Sequence, residues 1–275
     1  YALKVYGAGE EMPERENSDG WIFSVIDGVR YLVGYPQTGS VSLPVTAESY
    51  RVAPYLFYGE SIVQISSTGS AESIGEYAFA DCSQLTEFTA SEGLRAIGDS
   101  AFRSCYGLLR ATLPSSLTEI GDYAFDLCER LFEIWNLSSL PLVAGETGYG
   151  GIARYALFVY RSADEQSRIV DDDGFIFALA EDGWKLIDTN LYQRLVLPSL
   201  FSYNGSLVFS YTLGSGFGNA SAEEIYIPRS VGEIEAGAFD GCSGLRAIYY
   251  AGTEEEWKEA GGYTPAGCEV FYESF

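Results

Sequence analysis

Apolar positions in this 275-residue chain return with a fixed spacing. Ile74, Ile97 and Ile120 lie 23 residues apart, and so do Ala78, Ala101 and Ala124, then Phe79, Phe102 and Phe125, then Cys82, Cys105 and Cys128. A period of this size marks one small supersecondary unit, a strand followed by a short return segment. Such a unit cannot bury its own apolar face, so it must stack on its neighbours.

The unit from Leu108 to Cys128 shows the expected layout. Leu108, Ala111 and Leu113 fit the L-x-x-L-x-L strand of a leucine-rich repeat, with alternate side chains on opposite faces. Pro114 then ends the strand, because it has no N–H to give to a ladder. Ile120-Gly121 reads as the next turn, and Asp99 or Asp122 as the N-cap of a helix of about two turns. On that helix Ala124, Phe125 and Cys128 form one buried stripe. The predicted fold is therefore α/β, a leucine-rich-repeat solenoid with a strand and a short helix in each unit of about 23 residues, interrupted by β-hairpin inserts.

These residues resemble the BspA-type leucine-rich repeat family. The pattern L-P-x-S-[VL]-x-x-I-x-x-x-A-F-x-x-C-x-x-L stands in full over Leu113–Leu131 and, with Ile first, over Ile227–Leu245. The tail Tyr249–Trp257 is similar to the end segment of such arrays. The resemblance implies a bacterial cell-surface or secreted, adhesin-like protein that binds host or neighbouring-cell macromolecules, protein or glycan, without catalysing a reaction. Two other readings stand beside it: a structural spacer of a longer surface protein, and a carbohydrate-binding module or enzyme.

The remaining chain divides around the repeats. Residues 1–40 read as a β-hairpin insert, with Trp21–Ile26 and Val29–Val33 joined at Asp27-Gly28, a pair suited to positive φ. Residues 41–145 form the first repeat block, 146–190 a second hairpin insert, and 191–275 a second block with a C-terminal cap. Tyr155-Ala156-Leu157 matches Tyr1-Ala2-Leu3, Asp173-Gly174 matches Asp19-Gly20, Phe177 matches Phe23, Leu186 matches Leu32, and Leu197-Pro198 matches Leu43-Pro44, each 154 residues on. A large unit has been duplicated. Tyr1 falls partway into it, so the natural protein is expected to extend further N-terminally. Phe175–Ala180 and Trp184–Asp188 form the second hairpin around Asp182-Gly183. Glu254–Lys258 reads as a capping helix with Thr253 as N-cap.

Composition narrows the function. The chain is 47% hydrophobic, with 39 acidic against 16 basic residues and a formal charge of −23. That charge repels phosphate backbones and anionic lipids, which argues against nucleic-acid or membrane-surface binding, and no apolar run reaches the length of a membrane span. Histidine is absent, which removes Ser-His-Asp, Cys-His and His-zinc chemistry. Lys4, Lys185 and Lys258 are all the lysines, and none sits in a Walker or Ser-Lys spacing. Gly214–Gly218 reads as a flexible loop. Asp171-Asp172-Asp173-Gly174 lacks the distal Glu of a calcium loop and reads as a solvated turn. Asn136, Asn204 and Asn219 begin glycosylation sequons that carry no weight in a bacterial chain. Cys82, Cys105, Cys128 and Cys242 share one slot and read as a ladder of small buried hydrophobes, with Cys268 outside it. No catalytic residue, metal ligand or cofactor is assigned.

Strand alternation supplies the candidate binding residues. With Ala111 and Leu113 inward, Arg110 and Thr112 point outward, and the same phase turns out Glu87, Glu133 and Trp135 in the first block and Tyr226 and Tyr249 in the second. Glu87, Arg110 and Glu133 form a charge column across the strands. Trp135, Tyr226 and Tyr249 are the aromatic anchors expected of a recognition surface.

Overall fold

The computed structural model describes residues 14–36, 39–189, 194–215, 217 and 221–274. The match at Tyr1–Leu3, Lys4, Gly216 and Gly218 of the Gly214–Gly218 stretch, and Asn219-Ala220 lie outside the described residues. The chain divides into two compact units, Tyr1–Gln166 and Ser167–Phe275.

In the first unit each repeat contributes two strands. One sheet has six parallel strands in the spatial order Phe158–Tyr160, Glu133–Asn136, Arg110–Leu113, Glu87–Thr89, Gln64–Ser66 and Ser40–Ser42. The other has seven: an antiparallel meander of Arg15–Ser18, Trp21–Ile26 and Val29–Gly34, then parallel Tyr50–Val52, Ala71–Ile74, Ala96–Ile97 and Glu119–Ile120. The first sheet is the strand read from the leucine pattern. The second runs into the Ile-Gly pair, which the sequence had presented only as a turn.

The helix expected in every repeat does not form. Among the described residues there is one α-helix, Glu254–Glu259, and a single 3-10 turn, Tyr149–Gly151. The reason lies in the backbone of the return segment. Tyr77, Ser100 and Tyr123 have φ of 52°, 52° and 57°, and Asp81, Ser104 and Leu127 have φ of 59°, 59° and 61°. Left-handed residues at two positions per turn cannot propagate a right-handed helix. They direct alternate N–H groups along the stack instead. Phe79 donates to the Ala101 carbonyl at 2.8 Å, Phe102 to Ala124 at 2.7 Å, and Ser100 and Ser104 to Asp122 and Asp126 at 2.9 Å each. Asp99 likewise caps no helix: its Oδ1 accepts from the Asp122 N–H at 2.9 Å, one rung away. The fold is accordingly a β-solenoid.

The apolar stripe read from the sequence is the core. Phe57, Phe79, Phe102 and Phe125 are fully buried and stacked, with centroid separations of 4.7, 5.3 and 5.0 Å in turn. Beside them Cys82, Cys105 and Cys128 donate their thiols to the carbonyls of Phe57, Phe79 and Phe102 at 3.1, 3.2 and 3.1 Å. None of the five cysteines forms a disulfide, and all are buried. Burial pushes the Cys82 thiol from its ordinary 9.0 up to about 12 and moves Cys105 in the same direction. A thiol raised in the folded state favours folding fully below its unfolded pKa. That contribution disappears as the pH climbs towards the folded value, because the unfolded chain ionises first. Denaturation midpoints are therefore expected to fall as the pH rises above about 9, with a shallower fall in Cys82→Ala. Identical pH profiles for the two proteins would contradict this.

The second unit repeats the meander. Ile169–Asp172, Phe175–Ala180 and Gly183–Thr189 lead antiparallel into Tyr211–Leu213 and Val231–Ile234, which add in parallel. Arg194–Val196, Glu224–Ile227, Ala247–Tyr250 and Glu269–Phe271 form a four-stranded parallel sheet. The duplication extends to backbone detail. Asp19-Gly20 and Asp173-Gly174 share positive φ at both positions, and the same β-bulge follows Ile22 and Ile176. Phe23 and Phe177 are buried at matching places, packed edge-on against Tyr50 at 5.2 Å and Tyr211 at 5.1 Å. The helix after Thr253 closes with a capping box: the Glu256 N–H donates to Thr253 Oγ1 at 3.2 Å, and the Thr253 N–H to Glu256 Oε2 at 2.8 Å. Its Trp257 is buried in the core.

Candidate functional site

The outward column of the first unit forms in the expected register, Glu87 beside Arg110 beside Glu133, and continues to Phe158. Its end is closed. Glu133 is 0% exposed; its carboxylate accepts from Arg110 Nε at 3.1 Å and from the Tyr160 hydroxyl at 2.7 Å. The expectation of an exposed Glu133 is thus corrected: the phase is right, but another rung covers it. The covering strand, Phe158–Tyr160, lies 25 residues after Glu133 and was legible as an apolar run. Trp135 is also half-covered. It packs against Tyr160 at 4.6 Å, and its indole N–H donates to the Glu165 carbonyl at 3.0 Å. A buried carboxylate with a guanidinium and a phenol as partners is a satisfied network, and removing one partner would leave the others uncompensated.

Towards the other edge the same sheet is open and polar. Ser40, Ser42, Gln64, Ser66, Glu87 and Thr89 line a shallow cavity of about 270 Å³. A larger hollow of about 380 Å³ lies by the return segments, lined by Tyr123, Tyr149, Asp122, Asp126, Arg154 and neighbouring glycines. Asp126 is shared there between Arg103 at 3.6 Å and Arg154 at 3.7 Å. Among the described residues no group of His, Cys, Asp or Glu is arranged to hold a metal ion.

The four-stranded sheet of the second unit carries an aromatic row. Register places Val196, Tyr226, Tyr249 and Phe271 side by side. The Tyr226 and Tyr249 rings stack at 4.4 Å and 13°, and Tyr249 and Phe271 at 5.1 Å and 15°. Arg194 lies over Tyr226 at 4.5 Å and pairs with Glu224 at 3.8 Å. Partial burial in the stack, then the Glu224 carboxylate, raise the Tyr249 phenol above its ordinary value. The sequence reading named the two tyrosines and missed Val196, Phe271 and Arg194. The alternation in Glu269-Val270-Phe271 was the available signal, but it lies beyond the last repeat motif.

Ring faces in this row are spent on one another. Val196 and Phe271, at its two ends, are 55% and 40% exposed.

Rungs of parallel strands with buried Phe, Cys and Leu columns define a leucine-rich-repeat protein. This chain belongs to the BspA type leucine rich repeat region family, which it matches in six copies over residues 51–143 and 198–263. No curated protein matches it. Similar solved structures include a leucine-rich repeat protein from Bacteroides capillosus, 21% identical, with TM-score 0.37, covering 53% of this chain and 96% of that one. The T. pallidum leucine rich repeat protein is 19% identical, with TM-score 0.39, over 94% of this chain and 86% of that one. A leucine rich cell surface protein from Faecalibacterium prausnitzii is 15% identical, with TM-score 0.34, over 91% and 98%. BspA-type repeat proteins are typically bacterial surface proteins, and leucine-rich repeat proteins are generally non-enzymatic modules for protein interaction. No helix among the described residues is long and apolar enough to cross a membrane.

Proposed function

We propose that this chain is a non-enzymatic, extracellular, adhesin-like module of a bacterial surface protein, and that it binds a host or neighbouring-cell protein through the strand face of its second unit. The observation that carries this reading is the row Val196, Tyr226, Tyr249 and Phe271, half-exposed aromatic and aliphatic groups held in register on a rigid sheet. Such preorganised aromatic groups are the anchors of protein interfaces. In this reading each half of the chain is one hairpin insert followed by one repeat block. Cofactors and metals have no part in it. A spacer role is favoured by the first unit alone, where Glu133, Arg110, Tyr160 and Trp135 satisfy one another.

An array of matrix and cell-surface proteins and glycans, probed with the chain and with Tyr226→Ala/Tyr249→Ala, tests the proposal. A protein ligand whose affinity falls about tenfold or more in the variant is the expected outcome. Selective glycan binding would move the reading to a carbohydrate module. Silence across the array would move it to a spacer.

A further inference from the structure

The two copies of the duplicated unit differ in length between the Leu-Pro pair and the tyrosine that follows it. The Tyr50 hydroxyl donates to the Pro44 carbonyl at 2.9 Å, six residues back, whereas the equivalent Tyr211 hydroxyl donates to Pro198 at 2.7 Å, thirteen residues back. The additional length forms a hairpin, Phe201–Tyr203 paired with Ser206–Val208, turned at Asn204-Gly205 with φ of 49° and 75°. Its two faces differ. Underneath, Phe201 is buried against Phe177 at 3.9 Å and Trp184 at 5.2 Å. Tyr203 packs on Trp184 at 4.7 Å and donates to the Ser167 carbonyl at 2.9 Å.

The outer face carries the alternate residues. Ser202 pairs with Leu207, and Leu200 and Phe209 flank the two strands directly. Leu200, Leu207 and Phe209 are 40%, 56% and 63% exposed. From Leu195 through Ala222 there is no charged residue, in a chain of which 20% is charged. An uncharged apolar patch on a hairpin that only one copy of the unit possesses, within a strongly acidic protein, has the composition of an interface core.

We propose that the outer face of this hairpin, Leu200, Leu207 and Phe209, docks a protein that presents an apolar patch within a basic rim. The occupant follows from charge. A second copy brings −23 against −23, and anionic lipid is repelled in the same way, whereas a basic rim is attracted to a chain of that net charge while the uncharged centre loses no ionic hydration. The aromatic anchoring below holds the face in place before contact, which lowers the ordering cost of binding. The proposal rests on the hairpin residues and not on the Tyr226 and Tyr249 row.

A random-peptide display library selected on the full chain tests it. Enriched peptides are expected to combine aromatic or aliphatic residues with Lys or Arg. Their affinity is expected to drop about tenfold or more in Leu207→Ser/Phe209→Ser and to weaken with added salt, while Tyr226→Ala/Tyr249→Ala binds them undiminished. Leu200→Ser, a single change on the same outward face, gives a second reading if the double variant loses its thermal transition. Peptides that bind the variants unchanged, peptides without basic residues, or no enrichment would each overturn the proposal. So would a concentration-dependent dimer or binding to zwitterionic vesicles that the variants abolish, since either gives the face a different occupant.

Discussion

Phe102→Ala is expected to lower the unfolding free energy by about 3–5 kcal/mol, measured by denaturant titration. Phe102 is fully buried, with Phe79 at 5.3 Å on one side, Phe125 at 5.0 Å on the other and Phe88 at 4.5 Å beneath. Deleting the ring opens a cavity that the neighbours cannot fill without leaving their own rungs, whose spacing is set by backbone hydrogen bonds. Because each repeat contacts only its neighbours, a central loss also uncouples the rungs on either side. The transition should therefore broaden as well as shift. A cost below about 1 kcal/mol would mean that the phenylalanine column is not the core.

Gly75→Ala is expected to cost about 3 kcal/mol, at the upper end of overpacking penalties. Its φ is not the issue. A Cβ there would stand 2.6 Å from the Val52 carbonyl oxygen, 2.7 Å from the Pro54 nitrogen and 2.9 Å from the Ala53 carbonyl carbon, all backbone of the preceding rung. Gly98, in the same slot, places its nearest atom at 2.9 Å, so Gly98→Ala should cost less. Thermal or denaturant unfolding of the two variants side by side checks the order; equal and small losses would refute the close approach.

That glycine slot shows what the sequence reveals and what it conceals. The Ile-Gly pair was visible, and its spacing correctly announced the stack. Its second strand, Glu119–Ile120, was hidden, because two residues pairing in parallel leave no alternation to read. The return segment misled more seriously. Ala124, Phe125 and Cys128 have helical spacing, but their common burial arises from a chain that alternates between right- and left-handed residues. Tyr77, Ser100 and Leu127 carry no signature for positive φ, since glycine and asparagine are the residues that announce it. Gly237, with φ of 82° in the slot of Tyr77, and Gly59, with φ of 72° in the slot of Asp81, were the local signs.

For the candidate surfaces, alternation within a strand gave the facing of Glu87, Arg110, Tyr226 and Tyr249. It could not show what the next rung lays over them. Glu133 is covered because Tyr160 follows it in space, and that depends on where the chain places Phe158–Tyr160. The hairpin at Phe201–Val208 was legible in principle from Asn204-Gly205, the strongest short turn signal, but it was absorbed into the repeat block.

Both surfaces depend on rungs locked in register by backbone bonds that run along the stack. The most direct measurement is the scalar coupling across the hydrogen bond of the Phe102 N–H by nuclear magnetic resonance. The structure predicts coupling to the Ala124 carbonyl of the next rung, 2.7 Å away. Coupling to the Gly98 carbonyl would instead be the mark of a helix and would contradict the account.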